Sequence, residues 1–201
     1  MANILMAFDE QDATMGSFNQ GCFESYQEYL NGKEFSVTYI NSAQLNEANI
    51  QLRTSMLSPF VFAAYSHGSE NGELLSTQGI YLSTTVNQTS FGNSFVYTVS
   101  CHVGSSLAKC MIDNGCLSFL GYKSFFYFWD GYKCFSDCAN FGLFLFLEKI
   151  NTLEVHRQMI MKYDDEIDKI YLSDYLVASL LRENRDALIH LGNDITIEDL
   201  L

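Results

Sequence analysis

Short, nearly unbroken apolar runs alternate along most of the chain with segments whose apolar residues recur at helical spacing. Such runs are typical of strands buried on both faces of a parallel sheet, and the periodic segments predict amphipathic helices. The alternation predicts an α/β fold: a three-layer sandwich with a mostly parallel central sheet flanked by helices. Strands are predicted at residues 4–8, 35–40, 60–65, 95–100, 117–121 and 125–128, with a hairpin or loop near 74–82, and helices at 18–30, 42–57, 105–114 and 135–149.

The composition changes near residue 151, where charged helical sequence replaces the apolar runs. This region predicts a helical C-terminal extension that packs on the sheet. The chain shows no Pro-rich or Gly-rich linker and no internal repeat, so residues 1–201 are predicted to form a single domain.

Charge and hydropathy restrict the possible binding partners and the cellular compartment. A net charge of −13 argues against a nucleic-acid partner, because phosphate contacts need clustered Lys and Arg. The apolar runs are shorter than the ~20 residues of a membrane-spanning helix. The first residues have no basic region and only a short apolar run, unlike a secretion signal. We therefore expect a cytoplasmic protein with reduced thiols.

The cysteines do not have the spacing of a metal site. They lack the paired C-x-x-C pattern of zinc-binding modules, so no metal and no cofactor is expected. Free cysteine is also a common small, buried apolar residue.

Two predicted strands end at reactive side chains beside glycine. One ends at His67 and Gly68, and the other at Cys101, with Gly104 following. If these strands are parallel neighbours, both side chains reach the carboxyl edge of the sheet, where α/β folds bind ligands. A thiol and an imidazole there could form a cysteine nucleophile site. His102 is a rival base, but alternation along an extended segment turns it away from Cys101.

A catalytic thiol needs help to ionise, since its ordinary pKa is about 8.5. His67 could accept its proton, and the amino end of the predicted helix 105–114 favours negative charge nearby. The backbone amides of Gly68 and Cys101 are candidate oxyanion donors. Local sequence is equally compatible with His67 as a polar loop residue and Cys101 as a buried strand end.

The pattern of strand, His-Gly, strand and Cys-x-x-Gly resembles the caspase-like cysteine peptidases, which include caspases, metacaspases, separase, gingipains and CHAT-domain proteases. Residues 100–105 are similar to the metacaspase nucleophile motif. Residues 107–121 resemble the segment after the CHAT nucleophile, and residues 184–194 resemble a closing segment of bacterial caspase-like domains.

The resemblance implies a cysteine endopeptidase that acts on a protein or peptide substrate in a bacterial regulatory, defence or cell-death pathway. Cys101 would attack the scissile carbonyl, the Gly68 and Cys101 amides would hold the oxyanion, and His67 would protonate the leaving amine. A thioester would form and then hydrolyse, without a metal. The resemblance also implies self-association or a regulatory protein partner, because caspases pair through an edge strand.

The residues that would determine substrate specificity are less evident in the sequence. Metacaspases place an acidic residue two positions before the nucleophile to bind a basic P1 side chain, and Val99 stands there in this chain. Asp130, Asp9 and Asp12 are alternative candidates for substrate binding, although each could equally be a loop or capping carboxylate. The aromatic residues 125–129 are expected in the core or along a substrate groove.

Two other function classes stay open. A catalytically silent caspase-like scaffold that binds a partner protein would explain the missing acid at Val99. A flavodoxin-like ligand-binding domain is disfavoured, because no glycine-rich phosphate loop follows the first strand.

Overall fold

The central element is a six-stranded sheet, seen in a computed structural model that describes residues 1–201. The strands of this sheet are β1 (Asn3–Phe8), β2 (Ser36–Ile40), β3 (Phe60–Tyr65), β7 (Ser94–Val99), β8 (Ser118–Tyr122) and β9 (Leu188–Gly192). The strand order is β2-β1-β3-β7-β8-β9, and every neighbouring pair is parallel except β8 and β9.

A smaller antiparallel sheet continues from the carboxyl end of β3. It consists of β4 (His67–Gly68), β5 (Leu74–Ser76) and β6 (Gly79–Leu82), in that order. The candidate histidine therefore lies at the junction of the two sheets.

Alternate residues of each central strand bury into two separate cores, as the period of two in a β-strand requires. In β3, Val61, Ala63 and Tyr65 join one core, whereas Phe60, Phe62 and Ala64 join the other. Both faces are covered, which explains why these strands read as continuous apolar runs.

Helices cover the two faces unequally. The first core is covered by α1 (Gly16–Leu30), α4 (Lys133–Leu147), α5 (Thr152–Ile170) and α6 (Tyr175–Ala187). The second core is covered by α2 (Glu47–Ser55) and α3 (Ser106–Asp113). The predicted three-layer α/β architecture is confirmed. None of the helices combines the length and apolar character that a membrane crossing requires.

The first core contains polar atoms, and the backbone of α4 satisfies several of them. Tyr97 donates its hydroxyl to the Ala139 carbonyl at 2.6 Å, and the Tyr65 hydroxyl bonds to Asn140 Oδ1 at 3.1 Å. An unpaired buried hydroxyl would destabilise the fold by about 1–3 kcal/mol, so these bonds fix α4 against the sheet.

Three predicted elements differ from the structure. The segment 125–128 is not a strand, because its backbone groups bond to the turn after β7 and to the Asn184 side chain. The edge position beside β8 is filled instead by β9, which the sequence interpretation did not predict. The predicted helix 42–57 is divided into a short 3-10 turn, Ser42–Gln44, and α2, where the Asn46 side chain caps the Asn49 amide at 3.0 Å.

Candidate active site

Cys101 begins a tight turn that joins β7 to α3. His102 has a positive φ of 60°, which reverses the chain direction directly after the thiol. The turn is bonded to the segment after β8: the His102 amide donates to the Ser124 carbonyl at 2.9 Å, and the Gly104 amide to the Tyr122 carbonyl at 2.8 Å. These bonds fix Cys101 at the carboxyl edge of the sheet.

The Cys101 thiol is partly buried and lies against the backbone of Phe126. The Phe126 amide donates to Sγ at 3.3 Å, and the Phe126 carbonyl lies 3.8 Å from the same sulfur. Burial raises the pKa of this thiol above its ordinary value, and the Phe126 amide opposes that rise in part. Cys101 is therefore a protonated thiol at rest near neutral pH.

Gly68 brings the histidine segment against the cysteine turn. A Cβ added to Gly68 would lie 1.8 Å from the Cys101 carbonyl oxygen, so the two backbones are in direct contact. Since only glycine permits this approach, the His-Gly pair is a steric requirement of the site. His67 and Cys101 thus lie at neighbouring positions of one sheet edge, as the sequence analysis expected.

Asp12 holds the imidazole of His67. Its Oδ1 lies 3.0 Å from His67 Nε2 and also accepts from the Thr14 and Met15 amides, each at 2.8 Å. Burial by itself would raise the pKa of Asp12, but the two amides and His67 outweigh it, and the net pKa is lowered. The ionised carboxylate favours a proton on Nε2, which leaves Nδ1 as the free nitrogen.

The two predicted oxyanion amides lie together. Ser69 donates its amide to the Glu73 carbonyl at 2.9 Å, and Gly68 pairs with Leu74 at the next position of the hairpin. Because hydrogen-bonded pairs alternate in an antiparallel ladder, the Gly68 N–H faces away from β5. The Cys101 amide donates to no carbonyl of the chain.

The three carboxylates predicted to bind substrate have different surroundings. Asp9 is fully buried and bonds to the Thr77 amide and hydroxyl at 2.8 and 3.1 Å, so it is a structural carboxylate in this fold. The Asp12 carboxylate is hydrogen-bonded to His67. Asp130 alone is exposed, at the mouth of a groove of about 350 Å³.

That groove adjoins the thiol through aromatic side chains. Phe18 and Phe128 stack with ring centroids 4.8 Å apart, and Phe18 also contacts Phe126, whose amide bonds to Cys101, at 5.6 Å. The groove is further lined by Trp129 and Asp130. Part of the predicted aromatic run therefore forms a surface beside the site.

His102, the rival base, packs edge-on against Phe125 with centroids 4.4 Å apart, and its Nε2 has no hydrogen-bond partner. Sequence reasoning missed the Phe126 amide and the orienting role of Asp12. The available signals were an aromatic segment directly after β8 and an acidic loop directly after β1. No three His, Cys, Asp or Glu side chains lie close enough together to hold a metal ion.

The overall shape matches a solved structure, although the sequence comparisons find no relative. No family model matches the chain, and no curated protein matches it in sequence. The solved separase–securin complex of Saccharomyces cerevisiae matches with a TM-score of 0.61 and 12% identity. The fold is caspase-like. The match covers 97% of this chain but only 12% of the matched chain, so it bears on the fold alone.

Proposed function

We propose that this protein is a cysteine endopeptidase in which Cys101 is the nucleophile and His67 the general acid and base. The observation that carries the proposal is the direct backbone contact between Gly68 and Cys101 in a caspase-like fold. This contact supports a site in which a thiol, an imidazole and two backbone amides surround one point at the sheet edge.

The chemistry follows from these groups. Nδ1 of His67 accepts the thiol proton as Sγ attacks the scissile carbonyl, and the negative oxygen binds at the Gly68 and Cys101 amides. The tetrahedral species then expels the amine, which takes the proton from Nδ1, and a thioester remains. Water, deprotonated by His67, attacks the thioester, and the released thiolate regains its proton.

The raised pKa of Cys101 bears on activation. The resting thiol is hydrogen-bonded to the Phe126 backbone and must pass its proton to His67 as it attacks, so a substrate or a partner protein that moves residues 124–129 would control the reactivity of Cys101. Separase is found with securin in the matched structure, and we propose by analogy that a protein partner regulates this chain. We further propose a single peptidase domain, a cytoplasmic setting and a bacterial regulatory, defence or cell-death role.

A catalytically silent scaffold that binds a partner protein is the second candidate. It is favoured by Val99, which is fully buried and supplies no acid at the position that metacaspases use for a basic P1 side chain. In the endopeptidase, Asp130 in the aromatic groove would take that role instead.

Labelling with a peptide-like, thiol-directed electrophile separates the two candidates. We expect the wild type to be labelled, and Cys101→Ala and His67→Ala to lose labelling. The matched control is Cys116→Ala, which removes a buried thiol and should keep labelling. Equal labelling of the wild type, Cys101→Ala and His67→Ala would refute the endopeptidase.

A further inference from the structure

A second cavity lies at the carboxyl ends of β1 and β2, on the far side of β1 from β7. Its volume is about 280 Å³. It lies apart from the aromatic groove beside Cys101 and shares no residue with it. The cavity is lined by Phe8, Glu10, Gln20, Phe23, Tyr39, Ile40 and Asn41.

Three aromatic rings form one wall of this cavity. Phe23 is central: its ring centroid lies 5.0 Å from that of Phe8 and 5.1 Å from that of Tyr39, which it meets edge-on at 86°. Tyr39 is 37% exposed, so this ring is accessible at the cavity mouth. Aromatic faces attract organic cations through the ring quadrupole.

Glu10 lines the same cavity, and its carboxylate is held in place by Ser42. Its Oε2 accepts from the Ser42 amide and hydroxyl, both at 2.9 Å, and its Oε1 has no partner in the chain. No Lys or Arg lines the cavity, and the chain carries a net charge of −13. The free oxygen and the rings together favour a positively charged guest.

We propose that this cavity binds the cationic side chain of an arginine or lysine in a peptide. Glu10 and Asp12 lie on the same loop, and two residues span at most about 7 Å. A peptide held at Glu10 is therefore within reach of the Asp12–His67 pair. That the peptide is a substrate rests on the proposed endopeptidase function, whereas recognition of the cation does not.

Calorimetry on the Cys101→Ala protein tests binding without chemistry. The probe is an acetylated and amidated Gly-Gly-Arg-Gly-Gly peptide, compared with its citrulline counterpart, which keeps the shape but loses the charge. We expect the arginine peptide to bind about tenfold more tightly, and the difference to shrink as salt is raised. Equal affinity of the two peptides would overturn the proposal.

Variants locate the binding in the cavity. Glu10→Gln keeps an oxygen for Ser42 but removes the charge, and we expect it to weaken the arginine peptide about tenfold. Tyr39→Leu should weaken it about two- to fivefold, and it provides a second test on an exposed strand residue if Glu10→Gln fails to fold. Glu183→Gln, the same change on the exposed face of α6, should have no effect.

Two further results would count against the proposal. Unchanged affinity in both Glu10→Gln and Tyr39→Leu would place the cation elsewhere. Agmatine binding as tightly as the arginine peptide would make this a site for a free small cation. Loss of electrophile labelling in the wild type would refute the endopeptidase while leaving these binding results standing.

Discussion

The two ends of the central sheet each hold a cysteine, a histidine and a close-packed glycine, but the surroundings of these residues differ. The carboxyl edge has Cys101, His67 and the close-packed Gly68, and the amino end of β8 has Cys116, with His190 and Gly192 on β9. Both glycines lie where a Cβ would collide with a backbone carbonyl. Residue types alone therefore do not distinguish a reactive site from a structural one.

The two thiols differ chiefly in burial. Cys116 is only 4% exposed and lies 3.4 and 3.3 Å from the carbonyls of Ser94 and Ser118, and burial raises its pKa to about 11. Cys101 is partly exposed and receives an amide from Phe126. Each thiol has both a donor and an acceptor, since Ser94 Oγ donates to Cys116 Sγ at 3.6 Å and the Phe126 carbonyl lies 3.8 Å from Cys101 Sγ, so burial is what separates the two thiols.

The histidines differ in the same way. His190 bonds to two hydroxyls, Ser118 Oγ at 2.9 Å and Thr152 Oγ1 at 3.1 Å, and burial lowers its pKa. His67 faces a carboxylate, and its side chain is 40% exposed. The carboxylate therefore orients the exposed ring of His67, whereas two hydroxyls hold the ring of His190.

The largest expected difference is in alkylation of the two thiols. With iodoacetamide at pH 8, Cys101 of the native protein should be modified at least about 100 times faster than Cys116, because the thiolate is the nucleophile and Cys116 is buried with a pKa of about 11. Peptide mass spectrometry over time measures both rates. Unfolding in denaturant should make the rates equal, and similar rates in the native protein would contradict the comparison.

Substituting the two glycines separates reactivity from stability. Gly68→Ala places a Cβ 1.8 Å from the Cys101 carbonyl and displaces a proposed oxyanion donor, so electrophile labelling should fall about 100-fold. Gly192→Ala, with a Cβ 2.6 Å from the Leu117 carbonyl and a φ of +95°, should lower the free energy of unfolding but leave labelling intact. Equal loss of labelling in both variants would show that labelling depends on the stability of the fold and not on the geometry of the carboxyl edge.

Asp12→Asn should affect turnover more than binding. In the proposed endopeptidase, Asp12 acts through His67, as a positioning residue, so we expect kcat on a cleaved peptide to fall about 10- to 100-fold with little change in KM. Asp113→Asn, which removes an exposed carboxylate paired with Lys109, is the control and should change neither constant. A rise in KM at constant kcat would instead return Asp12 to substrate binding.

Much of this arrangement was predictable from local pattern. Continuous apolar runs identified five of the six strands of the central sheet, and the residues at the ends of β3 and β7 gave the candidate pair. Alternation along the strands also favours His67 and Cys101 on one face, because Val61 to Tyr65 and Phe95 to Val99 bury their odd-numbered residues in the same core.

The remaining features depend on contacts between residues distant in sequence, which the local sequence pattern does not determine. Residues 125–128 have the composition of a strand, but Asn184 and Cys101, both distant in sequence, take their backbone groups. β9 follows α6 without a break and becomes a strand only because β8 offers an open edge. The partner of Asp12 could not be known before β1 and β3 were paired.

The smallest expected effect is on stability against pH, and it belongs to the His190 end of the sheet. Burial lowers the pKa of both His156 and His190 below the ordinary value of 6.5, although Asp194 partly opposes this for His190. The unfolded chain therefore binds more protons than the native one, and the free energy of unfolding should fall as the pH drops from 7 through 6.5 to the lowered values.

Asp12 works in the same direction but in a lower range: its lowered pKa adds stability above 3.8 that is lost only as the pH falls towards the lowered value. Urea unfolding between pH 7 and 5 thus reports on the histidine end rather than on Asp12. The double variant His156→Gln/His190→Gln should show a flatter dependence on pH than the wild type, and Asp12→Asn should show the same dependence. An unchanged slope in the double variant would place the titrating groups elsewhere in the protein.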